Sequence, residues 1–226
     1  MDILLVAATP FEIAPTLSFL EQGYQKHSDG SFEKDSTRIF PLVTGVGMVA
    51  TAWHLGHHLA RHRPDWALNA GIAGAFDRSL NLGDVVQVAT DRFGDLGVEE
   101  ADGSFTDVFE LGLTVPDEPP FQKGILQNPV AEQAPYLPLV HGLTVHRVHG
   151  FAQSIRAIQH KYPDIQIETM EGAAFFHACL MADVPFAAIR SISNYVEPRN
   201  REAWEIGLAI RQLNEVLVEM LRLVQP

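Results

Sequence analysis

Two carboxylates carry the clearest chemical signal, because each directly follows an apolar run and opens a prospective helix. Glu12 closes Thr9-Pro10-Phe11-Glu12, and Glu171 sits in Glu168-Thr169-Met170-Glu171-Gly172-Ala173. A carboxylate at a helix start gains a little from the helix dipole, and capping alone accounts for either one. Two of them facing one crevice can divide labour, one activating water and the other gripping hydroxyls. Three more segments follow apolar runs in the same way: Thr44-Gly45-Val46-Gly47-Met48-Val49-Ala50, Asn69-Ala70-Gly71-Ile72-Ala73-Gly74 and Arg190-Ser191-Ile192-Ser193-Asn194. Small, polar and ionisable residues thus recur at five prospective strand ends, more convergence than packing requires.

Other chemistries are weaker. Gly45 to Ala50 fits G-x-G-x-x-A with Asp65 about twenty residues on, the outline of a dinucleotide site. That fingerprint belongs after a first strand, however, and Asp65 precedes a strand behind Pro64 instead of ending one. The same glycines suit a tight strand-to-helix turn. His54, His58 and His62 recur at helical spacing with His57 beside them, and paired histidines can hold zinc. They have no acidic or cysteine partner at a recognisable spacing, so a solvated helix face is the expectation. Cys179, with His177 on another face of its helix, reads as a core thiol. No Ser-His-Asp set, phosphate loop or zinc ribbon is visible.

The elements that must position these residues alternate. Ile3–Ala8, Trp66–Ala70, Asp84–Ala89, Ile165–Met170 and Phe186–Ile192 read as buried strands, and Phe32–Val43 reads as a hairpin turning at Asp35-Ser36. Helices are expected from Pro10 towards Glu21, over Val49–His62, over Glu171–Ala182 and over Arg199–Val224. Strands alternating with helices predict a three-layer α/β/α fold with a central, largely parallel mixed sheet. One domain spanning 1–226 is expected. Its exception is a proline-rich excursion at about 99–140, where six of the fourteen prolines fall between Pro116 and Pro138. A loop that long usually has a task, such as a lid or an interface arm. In such sheets ligands bind beyond the carboxyl ends of the strands, where the five segments lie.

Composition narrows the partners. Of 226 residues, 16 are Lys or Arg and 28 are Asp or Glu, a formal charge of −12. That balance opposes nucleic-acid binding, which needs clustered cations to displace counterions. No run approaches the roughly 20 apolar residues of a membrane span, and the start, Met1-Asp2-Ile3-Leu4, has no basic leader. A lone cysteine excludes disulfides within the chain and suits a reducing compartment. A cytoplasmic protein is the expectation.

Taken together, the five segments resemble the nucleoside phosphorylase/nucleosidase family, in particular its methylthioadenosine/adenosylhomocysteine nucleosidase branch, over nearly the whole chain. Glu12 matches the family's water-activating glutamate, Gly45-Val46-Gly47 its G-I-G turn, and Asn69 to Gly74 its N-T-G-S-A-G. Met170-Glu171 matches its M-E pair, in which the glutamate holds ribose hydroxyls, and Arg190 to Asn194 matches R-A-I-S-D. Any one match is weak; five in order are specific. The resemblance implies that Glu12 and Asn194 are catalytic and that Thr9, Val46, Ile72, Ala73, Gly74, Phe151, Met170, Glu171 and Arg190 contact a purine nucleoside. It implies a homodimer or larger homo-oligomer and neither a metal nor an organic cofactor.

Two departures carry information. Asn194 stands where the family has an aspartate that donates to N7 of adenine, and Ile72 stands where it has serine. An amide cannot deliver a proton, but it can donate one hydrogen bond and accept another. That suits a 6-oxopurine, whose O6 and N7 accept while N1–H donates. Glu168 to Ala174 and Ile192-Ser193-Asn194-Tyr195-Val196-Glu197-Pro198-Arg199-Asn200 resemble the branch of the family that hydrolyses futalosine to hypoxanthine and dehypoxanthine futalosine in menaquinone biosynthesis. There the 5′ substituent carries a benzoate, which Val46, Ile72 or the proline-rich excursion would contact and whose carboxylate His146, Arg147 or His149 would meet. Between Thr44 and Gly74 the arginines are Arg61 and Arg63 only, away from the glycine segments, so water is favoured over phosphate as nucleophile. A methylthioadenosine-type or inosine nucleosidase, a phosphorylase, and a purine nucleoside-binding module without turnover are the alternatives.

Overall fold

The computed structural model describes residues 1–132 and 136–223. The chain begins with β1 (Asp2–Ala7), α1 (Pro10–Gly23), β2 (Gln25–Lys26), β3 (Phe32–Lys34), β4 (Thr37–Val43) and α2 (Met48–Leu59). Two long strands follow, β5 (Trp66–Ala75) and β6 (Val85–Asp91), then four short ones: β7 (Gly97–Glu99), β8 (Phe105–Asp107), β9 (Phe121–Gln122) and β10 (Ile125–Gln127). The remainder comprises β11 (Leu139–Thr144), α3 (Ala152–Lys161), β12 (Ile167–Thr169), α4 (Gly172–Met181), β13 (Phe186–Tyr195), a 3₁₀ turn at Arg201–Ala203 and α5 (Ile206–Leu223).

Alternation along β1 divides the layers, because successive side chains of a strand point to opposite faces. Ile3, Leu5 and Ala7 pack with Ile13 and Leu20 of α1 and Leu213, Leu217 and Leu221 of α5. Leu4 and Val6 pack the other way, with Leu55 of α2 and Phe175, Phe176 and Cys179 of α4. The predicted α/β/α layering is therefore the observed one. The sheet is mixed: β1 runs parallel to β4 and β5, β13 parallel to β5, and β11 parallel to β12 and β6. β12 meets β5, and β13 meets β6, in antiparallel pairs. Because β13 bonds both β5 and β6, the strands β5, β12, β11, β6 and β13 close on one another in a ring.

Several boundaries differ from the sequence reading. The glycine segment at 69–74 does not follow β5 but forms its second half, and β13 continues through Asn194 with a register shift between Ile192 and Asn194. Glycine and asparagine disfavour strands, yet here they pair across β5 and β13. The last helix starts at Ile206 rather than Arg199, because the backbone after Pro198 bonds elsewhere. Arg199 N donates to Gly150 O and Glu205 N donates to Ser193 O. Its expected end at Val224 lies outside the described residues. Helix α3 and strand β11 carried too little pattern to be read. Of α3 only Ile155 and Ile158 are buried, and β11 is interrupted by His141-Gly142 behind Pro138. Part of the proline-rich excursion is sheet, since β10 pairs with β6 and buries Leu126 completely; Pro135 lies outside the described residues.

Phe186 is the node where β13 meets α4, edge-on to Phe175 and Phe176 at centroid distances of 5.5 and 4.7 Å. Phe186→Ala should cost about 3–5 kcal/mol of unfolding free energy, read as a lower urea midpoint with an unchanged slope.

Candidate active site

The site is built around Arg190, a guanidinium 2% exposed on β13. Nη1 donates to Asn69 O at 3.2 Å and Ile189 O at 2.9 Å, and Nη2 donates to Asn69 Oδ1. Asn69 in turn donates from Nδ2 to Val6 O, fastening the arginine to β1 as well as β5. Burial pulls the Arg190 pKa down, while Glu171, Asp91 and Glu12 oppose that pull as three surrounding carboxylates. The two acids singled out in the sequence therefore both act on one buried cation, and Glu12 Oε1 and Arg190 Nε flank Gly71, 3.0 and 3.8 Å from where its β-carbon would stand.

Glu171 is the residue before α4. Its Oε1 accepts from Gly47 N at 2.7 Å, across 124 residues of chain. Gly45 and Gly47 have φ of 85° and 92°, which only glycine adopts freely, so this turn is what aims the Gly47 N–H at the carboxylate. Burial raises the Glu171 pKa and Glu12 adds to the rise, while the Gly47 N–H, Arg190 and the backbone of Met170 hold it down. Met170 itself is half-buried alongside.

Glu12 is 8% exposed in the first turn of α1. Its Oε2 accepts from Thr9 N at 2.9 Å and Thr9 Oγ1 at 3.0 Å, the reach-back half of a capping box. Its Oε1 lies 3.4 Å from Ile72 N, and a β-carbon on Gly71 would stand 3.0 Å from it. Capping and proximity to the arginine thus coexist in one side chain. The backbone behind Glu12 is braced unusually. Pro15 lies inside α1, and Thr16 N donates to Asn214 Oδ1 at 3.0 Å while Asn214 Nδ2 donates to Glu12 O at 2.8 Å. The Asn214 amide from α5 is thereby inserted where an i→i+4 backbone bond would run.

Asn194 lies further along β13, opposite Gly74, and a β-carbon on Gly74 would stand 3.0 Å from Asn194 Nδ2. Its Nδ2 donates to Tyr195 O at 3.0 Å and its Oδ1 accepts from Ser193 Oγ at 2.8 Å. The same hydroxyl is 3.2 Å from Ala73 O. On the other side of Gly74, β12 places Glu168, 4% exposed, whose Oε1 meets His149 Nδ1 and whose Oε2 accepts from His149 N at 2.9 Å. The backbone N and Nδ1 of His149 are thus committed to an internal carboxylate.

Other residues fall apart from these two groups. Val46 is exposed on the glycine turn, and Phe151 is 65% exposed at the cap of α3. A cavity of about 620 Å³ opens between α2, α4 and the loops, with Met48, Phe93, Phe121, His146, Ala174 and His177 on its walls. Asp65 accepts from Asp2 N at the opposite end of β1, away from the glycine turn, so no dinucleotide site forms. His58 is half-buried rather than solvated, packed edge-on to Phe40, with its pKa lowered by burial and by His62 and His57. Among the described residues no three potential ligands gather around a metal site, and no helix is long and apolar enough to cross a membrane.

Sequence reasoning missed Asp91, Glu168 with His149, and Asn214. Each had a faint signal, as a lone polar residue at the end of, or within, an apolar run. Asp91 is 1% exposed, and burial pushes its pKa up from the usual 3.8 to about 7 against the pull of Thr144 and Arg190. Oδ1 accepts from Thr144 Oγ1 and Arg92 N, both at 2.8 Å, while Oδ2 has no partner among the described residues. Thr144 Oγ1 also accepts from Ala173 N at 2.7 Å, so Asp91 braces the first turn of α4 and hence Glu171. A β-carbon on Gly172 would stand 2.1 Å from Asp91 Oδ2.

The phosphorylase superfamily model matches residues 2–225. A futalosine hydrolase from Acidothermus cellulolyticus is 31% identical over 96% of this chain and 89% of its own length. A 5′-methylthioadenosine/S-adenosylhomocysteine nucleosidase from Maridesulfovibrio salexigens is 30% identical over 87% of each. The solved S. pneumoniae 5′-methylthioadenosine/S-adenosylhomocysteine nucleosidase, bound to a transition-state inhibitor, superposes with a TM-score of 0.78 over the full length of both chains at 23% identity.

Because the folded state holds a proton on Asp91 that the unfolded chain releases, its contribution to stability is complete below pH 3.8 and is lost as pH rises to about 7. In Asp91→Asn that loss is absent, so the fall in melting temperature between pH 5 and pH 8 should shrink. An unchanged fall in scanning calorimetry would place the titration elsewhere.

Proposed function

Since the chain belongs to the phosphorylase superfamily and is a nucleosidase, we propose that it hydrolyses the N-glycosidic bond of futalosine, releasing hypoxanthine. The observation that carries this reading is the meeting of Glu12 and Glu171 around Arg190, with an amide, Asn194, further along the same strand. Glu12 takes a proton from water as it attacks the anomeric carbon, and its charge steadies the oxocarbenium character that develops there. Glu171 accepts from the 2′- and 3′-hydroxyls in charge-assisted bonds that fix the ring for attack. Arg190 touches neither water nor sugar in this scheme; its charge opposes the burial that raises the Glu171 pKa.

Asn194 reads the base. One amide proton and one lone pair are already used by Tyr195 O and Ser193 Oγ, which leaves one donor and one acceptor for a 6-oxopurine edge. Thr9, Ile72, Ala73 and Gly74 shape the floor between sugar and base, Met170 flanks the ribose, and Phe151 closes over the purine. The 5′ substituent enters the cavity between α2 and α4, where Phe93 and Phe121 offer ring faces and His146 meets the benzoate carboxylate. Val46 lies at its outer rim. No arginine stands at Thr9–Glu12 or in either glycine segment, which favours water over phosphate as the nucleophile.

A homo-oligomer fits this reading. Val46, Val49 and Trp53, along α2 and its leading turn, are 57%, 76% and 69% exposed, a large apolar surface next to the site. Trp53→Glu should shift the sedimentation coefficient to that of a 25.0 kDa chain.

Release of the free base, hypoxanthine from futalosine or inosine and adenine from methylthioadenosine, should be measured chromatographically, each with and without phosphate. Rapid phosphate-independent release from futalosine is expected, and phosphate-dependent release from inosine would identify a phosphorylase instead. Glu12→Gln should lower kcat by about 100-fold or more with nucleoside binding retained; near-normal turnover would remove the base assignment. Asn194→Asp should shift preference from futalosine towards methylthioadenosine, and an unmoved preference would mean that the base is read elsewhere.

A further inference from the structure

A leaving purine needs a proton or an equivalent charge at its ring, and the amide of Asn194 has none to give. We propose that His149, oriented by Glu168, is the general acid that protonates the departing base. This rests on the hydrolase reading above and extends it to a residue not placed in that scheme.

The placement comes from the strands. Gly74 of β5 is paired on one side with Asn194 of β13 and on the other with Glu168 of β12. Residues directly opposite one another on adjacent strands share a face, so Glu168 and Asn194 flank the same glycine. The side chains of Asn194 and Val196 close over that glycine, each 3.0 Å from where its β-carbon would stand. Glu168 is buried in this position and extends its carboxylate to both the backbone N–H and the ring Nδ1 of His149. A buried carboxylate on Nδ1 fixes the imidazole rotamer and places the Nδ1 proton on its own side. Nε2 is then the nitrogen that gains and loses the second proton. Phe76 packs against the ring at 6.5 Å, yet the side chain keeps 15% exposure, so one edge is still accessible. Gly150 and Phe151, the residues that follow, lead from this histidine into the cap of α3.

The chemistry balances without a cofactor. As the C1′–N9 bond breaks, its electrons pass to the purine. The Nε2–H bond of the imidazolium breaks, and an N–H bond forms on a ring nitrogen of the base. Water supplies the new C1′–O bond and leaves its proton on Glu12. The enzyme is left with a neutral His149 and a protonated Glu12, and one proton moved through solvent restores both. Glu168 exchanges no proton with the substrate in this step, which makes it a positioning residue. A histidine held by a carboxylate also explains why an acid is affordable inside β12, where an unpaired charge would be costly.

The test is turnover of futalosine by His149→Ala, His149→Gln and Glu168→Gln. Both His149 variants should lose about 100-fold or more in kcat with KM within a few-fold, and added imidazole should restore part of the His149→Ala rate. Glu168→Gln should lower kcat by a smaller factor without imidazole rescue. Calorimetric binding of hypoxanthine should survive in all three. A His149→Gln rate within threefold of wild type overturns the proposal. So does a loss that imidazole does not relieve and that is accompanied by loss of hypoxanthine binding, since that marks a purely structural histidine. Wild-type enzyme releasing no base from futalosine fails the hydrolase reading itself, a result distinct from inactive His149 variants beside an active parent.

Discussion

A guanidinium sealed from water is the constraint on which the rest depends. Arg190 has lost its hydration, and burial pulls its pKa down. Acids from three separate stretches of chain oppose that pull: Glu171 before α4, Asp91 from the end of β6 and Glu12 from α1. Neutral acceptors supply the rest, two backbone carbonyls and the Asn69 side chain. The arrangement is reciprocal, because each acid is kept from bulk water partly by the same packing that hides the arginine. A cation with no solvent around it cannot be satisfied by water, so the acids must be held in place by covalent and hydrogen-bonded structure. That is why so much of the molecule is spent on holding them: a strained glycine turn for Glu171, a capping threonine for Glu12, a threonine pair for Asp91.

Much of this was visible in the residues before any coordinates. The layering followed from apolar runs alternating with helical periods, and β1 shows it in a single strand, odd residues to one helical layer and even residues to the other. Glu12, Glu171 and Arg190 were legible because they interrupt or terminate such runs. What escaped notice did so for physical reasons. Gly71 to Gly74 read as residues beyond a strand because glycine weakens strands in isolation. In the ring of β5, β12, β11, β6 and β13, tertiary pairing on both sides overrides that preference. Helix α3 hides only two residues, so its period was lost among polar ones. The proline-rich stretch read as irregular throughout, because a two- or three-residue edge strand leaves no period to detect.

The missed polar residues share one property: their role depends on partners far away in sequence. Glu168 looks like an intruder in Ile165 to Met170 until β12 is laid beside Gly74. Asp91 looks like a strand-end acid until Gly142 and Gly172 are seen to leave it room. Only the closed ring brings those distances together. Local pattern can identify that a residue is out of place, whereas the identity of its partner is a property of topology.

The amide of Asn214, slipped between two turns of the first helix, has a consequence in time as well as in space. The acid near the beginning of the chain receives its brace from a side chain 202 residues later. During synthesis α1 can form early, but with Pro15 in its middle and no amide to span the gap, its opening turn has only the local Thr9–Glu12 cap to hold it. Competence at the Glu12 end therefore arrives last, when α5 docks. Nascent or C-terminally shortened chains carry Glu12 without the amide that braces its backbone.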